Sequence, residues 1–422
     1  MNVMNTINLI IGIVFFICYS YQFFFVIVPF IKKPKPHKKV KYHNFAILIP
    51  ARNESIVIKQ LLDSISEQTY PKKLITTFVI ADNCTDDTAQ VAKEKNVIVL
   101  ERENNELRGK GYALDYLFEY IKANYSKDDF DGYFVFDADN ILEKKYIEEM
   151  NKGFSDGYEI LTSYRNSKNY GDNWVSAGYA LWFLRESKYL NNSRFLLNTS
   201  CAISGTGFLF SKKIAQKNNG WKFYLLTEDL EFTASSVIDG EKIGYCNDAI
   251  FYDEQPTKFY QSWKQRMRWA RGYLQVYGKH GADMIKGAFK GSFSCYDMSM
   301  STMPAIVLTI LCFIINIVNV IIGIILKTPL WLTLKPFLDI FISMYLTLFI
   351  LGLITIITEW KRIHTSAFKK VLFSFTFPVF MISYIPISFI ALFKKVRWEQ
   401  IEHKKAMTLA EIKKKAKKQK DS

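Results

Sequence analysis

The sequence predicts an α/β protein of the doubly wound kind, carried between membrane segments. Two observations predict it. Between residues 44 and 300, short β-rich runs alternate with amphipathic helical patterns, as strand–helix–strand units of a largely parallel sheet do. Around that stretch lie four apolar segments, near 7–30, 302–326, 337–358 and 371–393. Each is close to the ~20 residues that span a hydrocarbon core. Composition agrees, because 49% hydrophobic and 16% aromatic residues in a 422-residue chain is rich for a purely soluble protein.

The elements follow in order. Residues 7–30 lack a basic leader and a small-residue cleavage site, which predicts a retained anchor. "FAILIP" (45–50) is the first strand, followed by a helix from near Ser55 with Ile58, Leu61, Leu62 and Ile65 on one face. "TTFVIADN" (76–83) and "NVIVLE" (96–101) are strands with the helix "DDTAQVAKEK" between them. "GKGYALDYLFEYIKAN" (109–124) is the next helix, "YFVFDADN" (133–140) the next strand, and a further helix lies around 144–154.

Five regions result: an anchor with a basic linker (1–43), the α/β domain (44–255), interfacial helices (256–300), membrane segments (301–393) and a basic tail (394–422). No linker or repeat marks a second soluble domain.

The net charge of +15 is concentrated beside apolar segments. "KKPKPHKKVK" (32–41) carries six lysines and no acid, and residues 394–422 carry eleven basic against four acidic side chains. That placement marks the cytoplasmic side and anionic lipid headgroups rather than nucleic acid. The working domain is therefore expected in the cytosol of a multi-pass cell-membrane protein. The cysteines and histidines show no metal-ligand spacing, so no structural zinc is implied.

In an open α/β sheet, ligands bind beyond the carboxyl ends of the strands. There stand Pro50-Ala51-Arg52-Asn53-Glu54, Asp82-Asn83 and Asp137-Ala138-Asp139. Each alone reads as a turn, since Asp and Asn favour strand ends; three on one sheet edge read as a site. Neither GxGxxG after the first strand nor GxxxxGK[ST] is present. A bound nucleotide would therefore need a metal on the aspartates and basic groups such as Arg108 and Lys110.

With those motifs, residues 45–275 resemble the family 2 inverting glycosyltransferases, most closely the membrane-embedded synthases of cellulose, hyaluronan and poly-N-acetylglucosamine. "IPARNE", "VIADNCTDDT", "GKGYAL", "DAD", "SGTGFLF" (204–210), "LLTEDLEF" (225–232) and "KQRMRWARG" (264–272) stand in that family's order. Single acidic triplets are weak signals, but their ordered combination with QxxRW before a membrane span is specific. The resemblance implies a GT-A-type nucleotide-sugar-binding domain and transfer from a UDP-sugar to a growing polysaccharide. It implies donor contacts from Pro50, Arg52, Asn53, Glu54, Asp82, Lys110, Asp137, Gln265, Arg268 and Trp269. Asp137 and Asp139 would hold Mg²⁺ or Mn²⁺, a hard cation suited to carboxylate and diphosphate oxygens. Gly205, Thr206, Gly207 and Trp269 would meet the acceptor.

An inverting transfer also needs a base, for which Asp229 is the candidate, with Glu228 as its orienting neighbour. Bland readings stand beside these: Thr227 as the cap of a helix with acids in its first turn, the two glycines as a tight turn, and the arginines as an interfacial stripe.

Alternatives for the whole chain are single-sugar glycosylation of a membrane lipid, or a non-enzymatic transporter or scaffold, which leaves the ordered motifs unexplained. The segment 371–393, with prolines at 378 and 386, is expected as a re-entrant or interfacial hairpin that keeps the tail cytosolic. "EIKKKAKKQKDS" is expected as a solvated or lipid-facing end. Asp339 is the main charge within the spans, and Tyr345, Ser383 and Tyr384 could line a sugar path. So few spans would call for a dimer or an accessory subunit in secretion.

Overall fold

A computed structural model of the chain describes residues 2–302 and 304–418. Its strands are β1 (Phe45–Ala51), β2 (Ile75–Asp82), β3 (Ile98–Arg102), β4 (Gly132–Val135), β5 (Ile141–Leu142), β6 (Ile160–Ser167), β7 (Phe208–Ser211) and β8 (Ile243–Asp253). They form one sheet in the order β3-β2-β1-β4-β7-β6-β8-β5.

β1 shows why the first half reads so plainly. Successive side chains point to opposite faces, so Ala46 and Leu48 pack with Leu114 and Leu117, while Phe45, Ile47 and Ile49 pack with Ile58, Leu61 and Leu62. Both faces are covered by helices, so the whole strand is apolar. β3-β2-β1-β4 is parallel throughout. Beyond β4 the sheet is mixed, which corrects the expectation of a largely parallel one: β7 runs antiparallel to both β4 and β6, and β5 to β8.

That reversal has a use. The loop that precedes an antiparallel β7 lies beside the carboxyl end of β4, so Gly207 N–H bonds to Val135 O at 2.9 Å and the 204–207 loop meets the Asp137 turn. The first helix begins at Ile58 rather than near Ser55, because Glu54 N–H is held by Thr88 Oγ1 at 2.8 Å and Glu54 to Val57 forms a turn.

Among the described residues, four helices are long and apolar enough to cross a membrane: Thr6–Ile31, Val307–Ile325, Leu330–Thr358 and Ala367–Phe393. Asn8 and Asn316 exchange amide hydrogen bonds of 3.0 and 2.9 Å between the first two, a tie that an apolar medium favours. Asp339 is paired with Lys335 one turn earlier, at 2.9 Å.

Ala367–Phe393 is not a hairpin. Despite Pro378 and Pro386 it is helical apart from Ser383, where Arg266 Nη1 donates to Phe380 O at 2.9 Å and to Ser383 Oγ at 2.7 Å. Those bonds serve the polar groups at the break. Both ends return to the α/β domain: Lys369 Nζ reaches Gly171 O at 2.6 Å, and beyond Phe393 the Gln400 amide reaches Asn53 O at 3.1 Å. The segment therefore lies along the domain.

The end of the chain is also placed differently from the expectation. Leu409–Lys418 is a helix whose Ile412 is buried against Ile141 and Tyr252, with Lys413 Nζ 2.6 Å from Glu143. Part of "EIKKKAKKQKDS" is thus docked rather than solvated; its last residues, 419–422, lie outside the described residues.

Candidate active site

The strand ends and the loop before β7 open on one cavity of about 220 Å³, bordered also by the Glu228–Ile238 and Phe259–Phe289 helices and by residues 398–403. Pro50, Arg52, Glu54, Asp82, Lys110, Asp137, Asp139, Gly205, Glu228, Asp229, Gln265, Arg268 and Trp269 all line it. Three expected contacts do not. Asn53 binds the Thr85 N–H at 2.7 Å and Gln400; Thr206 Oγ1 accepts from Asp137 N–H at 2.8 Å and donates to Asn140 at 2.6 Å; Gly207 pairs with β4. They shape the wall from behind.

Asp82 ends β2 directly opposite Arg102 on β3, and the guanidinium holds its Oδ1 at 2.5 Å with both side chains buried. Asp137 and Asp139 differ. Asp137 is partly open to the cavity and pairs with Lys110 Nζ at 2.5 Å. Asp139 is buried and takes the Glu254 N–H at 2.7 Å and the Asn140 amide at 3.2 Å. Burial works to raise the Asp139 carboxyl, yet the charges of His403, Lys168 and Arg165 and the Glu254 N–H outweigh it and hold it below the usual range. It is ready as an anion.

Among the described residues, no three His, Cys, Asp or Glu side chains are arranged to hold a metal by themselves. The pair of carboxylate side chains suits a hard cation that a diphosphate completes. The carboxylates present fit Mg²⁺ or Mn²⁺ in that sense.

Asp229 Oδ2 accepts the Gly205 N–H at 2.6 Å. Gly205 adopts φ 78°, a left-handed conformation open to glycine, which aims that N–H at the carboxylate. Lys110 joins the two acidic groups, since its Nζ also meets Gly205 O at 2.7 Å and it senses Glu228 and Asp229. Thr227 makes no side-chain cap, against the bland reading; its buried Oγ1 finds no partner among the described residues. Instead Thr227 packs on Gly272, where an added Cβ would stand 2.5 Å from its side chain. The TED and QxxRW segments are thereby locked together.

Burial and the neighbouring Asp229 push Glu228 up to about 7, against Lys110 and Arg268. Its ionised form is thus gained only as pH rises through about 7, and only that form places a second carboxylate charge beside the candidate base. Transfer is expected to fall as pH drops below about 7. Glu228→Gln should remove that limb from the kcat/KM profile; a profile unchanged by the substitution would contradict the role.

Gln265 Oε1 is buried and unpaired among the described residues, and Arg268 Nη1 donates to Leu226 O at 2.8 Å. Trp269 stands edge-on to Tyr179 and Phe183, with ring centres 5.6 and 6.1 Å away. Trp182, Phe183 and Tyr273 continue this aromatic wall.

Sequence reasoning missed two groups. Arg165 lines the cavity with its Nε 2.7 Å from Asp253, and Glu254 and Gln255 follow; "FYDEQ" is another acidic strand end, so the rule used for β1, β2 and β4 could have found it. The second group is the tail, where Trp398, Gln400 and His403 close the cavity. His403 Nδ1 stands 3.0 Å from both Glu54 oxygens. Burial opposes its protonation, but Asp139 and Glu54 raise it to about 10, so a cation faces the acidic cluster.

Comparison with known proteins places the chain in a family. The family described as "Glycosyltransferase like family 2" matches residues 43–272, more than half of the chain. The chain belongs to that family. This glycosyltransferase is 27% identical over 263 residues to a "Probable glycosyltransferase YdaM" of Bacillus subtilis, covering 57% of this chain and 58% of the relative. It is 26% identical over 273 residues to a "Beta-monoglucosyldiacylglycerol synthase" of Nostoc (60% and 54% covered). It is also 26% identical over 239 residues to a "Poly-beta-1,6-N-acetyl-D-glucosamine synthase" of Staphylococcus aureus (54% of each). The matches thus span only about half the length of these relatives. A mannosyltransferase from Pyrobaculum calidifontis, solved with GDP-Man and Mn²⁺, shares the fold: the TM-score is 0.59 at 12% identity, covering 92% of this chain and 99% of that one.

Proposed function

We propose that this glycosyltransferase transfers a hexose, with inversion, from a UDP-sugar to the end of a growing membrane-associated polysaccharide, β-linked and built of glucose or N-acetylglucosamine. The observation that carries the reading is one cavity with Asp137 and Asp139 on one wall, Asp229 on another and Lys110 touching both sides. The acceptor hydroxyl gives its proton to Asp229 as its oxygen attacks the anomeric carbon from the face opposite the diphosphate. Lys110 and Arg268 take up diphosphate charge. Asp137 and Asp139 would hold Mg²⁺ or Mn²⁺, which would supply Lewis-acid stabilisation of the departing UDP; the Mn²⁺ solved with the mannosyltransferase supports this. Trp182, Trp269 and Tyr273 on the cavity wall offer aromatic surface on which acceptor sugars stack.

The domain and tail belong on the cytosolic side of the cell membrane, with the basic run 32–41 at the headgroups. A polymer leaving through so few helices calls for a dimer or an accessory subunit.

One observation favours a second reading, single-sugar glycosylation of a membrane lipid. The hydroxyls expected along a sugar path serve as ties: Tyr345 donates to Phe375 O at 2.9 Å, Ser383 takes Arg266, and the Tyr384 ring lies 5.1 Å from that guanidinium. The test incubates membranes containing the enzyme with a panel of UDP- and GDP-sugars and Mn²⁺, then sizes the product. The polysaccharide reading expects a polymer from a UDP-sugar, and shorter or no polymer from Trp269→Ala with donor hydrolysis retained. An organic-extractable lipid bearing one sugar as sole product would replace it with the second reading.

A further inference from the structure

Where the cavity wall meets the first membrane helix, the Trp174–Arg185 helix runs into a π-helical turn, Glu186–Asn191. Such wide turns are rare and are frequently found at functional sites. Two consecutive residues here serve different neighbours. Glu186 lines the cavity and its carboxyl accepts from the Ser204 hydroxyl at 3.3 Å. Arg185 turns to the membrane helix, donating to Gln22 Oε1 at 3.1 Å, with its guanidinium 5.3 Å from the centre of the Trp182 ring.

The same helix meets a second arginine in a different state. Arg194 is bound in bidentate fashion by Asp297, at 2.7 and 3.0 Å, and Tyr21 donates to that carboxylate. It is a finished structural ion pair. Arg185, by contrast, has no carboxylate within ion-pair distance among the described residues, and burial pushes it down to about 10 despite Glu186. A guanidinium with five donors in a planar fork is matched by a carboxylate or a phosphate. Around it, one face of the first helix is buried on the domain through Tyr19, Phe25 and Val28. Phe23, Phe24 and Ile27 stay exposed on that helix, as lipid contact would have them. An arginine at such a boundary reaches toward headgroup phosphate.

We propose that Arg185 and Gln22 form a binding site for the phosphate of an anionic lipid headgroup, whose occupancy steadies the Trp182–Glu186 wall of the cavity. The site rests on membrane placement of residues 6–31 and is independent of the donor and acceptor assignments. The test uses the full-length protein in phosphatidylcholine nanodiscs with and without phosphatidylglycerol, counting retained phosphatidylglycerol by native mass spectrometry after partial delipidation. Arg185→Gln should lower that retention about tenfold with unchanged thermal unfolding in phosphatidylcholine alone. Gln22→Ala, which carries the test should Arg185→Gln fail to fold, should lower it several-fold. Lys33→Gln/Lys35→Gln should weaken general vesicle binding and leave the retained lipid in place. Retention unchanged by both site variants, or abolished by the lysine variant, would overturn the proposal. So would inorganic phosphate displacing the lipid at millimolar concentration, which would make free phosphate the ligand.

Discussion

Replacing Asp229 by Asn should leave UDP-sugar binding intact and lower transfer by about 10²–10⁴-fold, the range that a positioned general base supplies. The substitution keeps size and keeps a side-chain oxygen for the Gly205 N–H, whose 2.6 Å bond fixes the carboxylate in the native chain. What it removes is the ability to accept the acceptor's proton. The neighbouring Glu228 cannot substitute, because the bond to Gly205 N–H places Asp229 and not Glu228. Donor binding is read by isothermal titration with UDP and Mn²⁺, and transfer by labelled sugar entering product. Near-normal turnover would assign Asp229 to holding the 204–207 loop and nothing more.

Removing Asp139 should abolish the metal dependence of nucleotide binding. Loss of a group that merely orients a metal ligand costs about 10–100-fold in affinity, so loss of a ligand should cost at least ~100-fold. Asp139→Ala also strips the acidic cluster of the anion that balances His403 and Lys168. Asp139→Asn, which preserves the Glu254 N–H contact at 2.7 Å, therefore separates ligation from local collapse. Both variants should bind UDP equally with and without EDTA, while the native protein binds it at least ~100-fold more tightly with Mn²⁺. Equal EDTA sensitivity in the native protein and Asp139→Asn would sink the metal assignment.

The first half of the sheet was legible because β1, β2 and β4 are buried on both faces and each ends abruptly in polar residues. β5, with two residues, and β7, with four, carry too little pattern to announce a direction, and direction is what brings the 204–207 loop to Asp137. Asn53, Thr206 and Gly207 illustrate a second limit: a motif shows that a loop belongs to the site, not which of its atoms face the ligand. Thr227 shows a third, since Ser or Thr before a helix resembles a cap until its hydroxyl is seen packed on Gly272. The tail was the largest omission. Its lysines read as solvated charge, yet Lys405 pairs with Asp172 and Lys413 with Glu143; "WEQIEH" interrupts them, and only the return of the chain after Phe393 brings Trp398 and His403 over the cavity.

The measurement that tests the central claim most directly is the anomeric configuration of the bond formed. If Asp229 is the base and the diphosphate is held at Asp137 and Asp139 as proposed, displacement would occur once, from the face opposite the leaving group. An α-linked UDP-sugar should therefore yield a β-linked product, read from the anomeric proton coupling in the NMR spectrum of the released glycan or glycolipid. A product of α configuration from that donor would contradict the assigned base and the single-displacement site built around it.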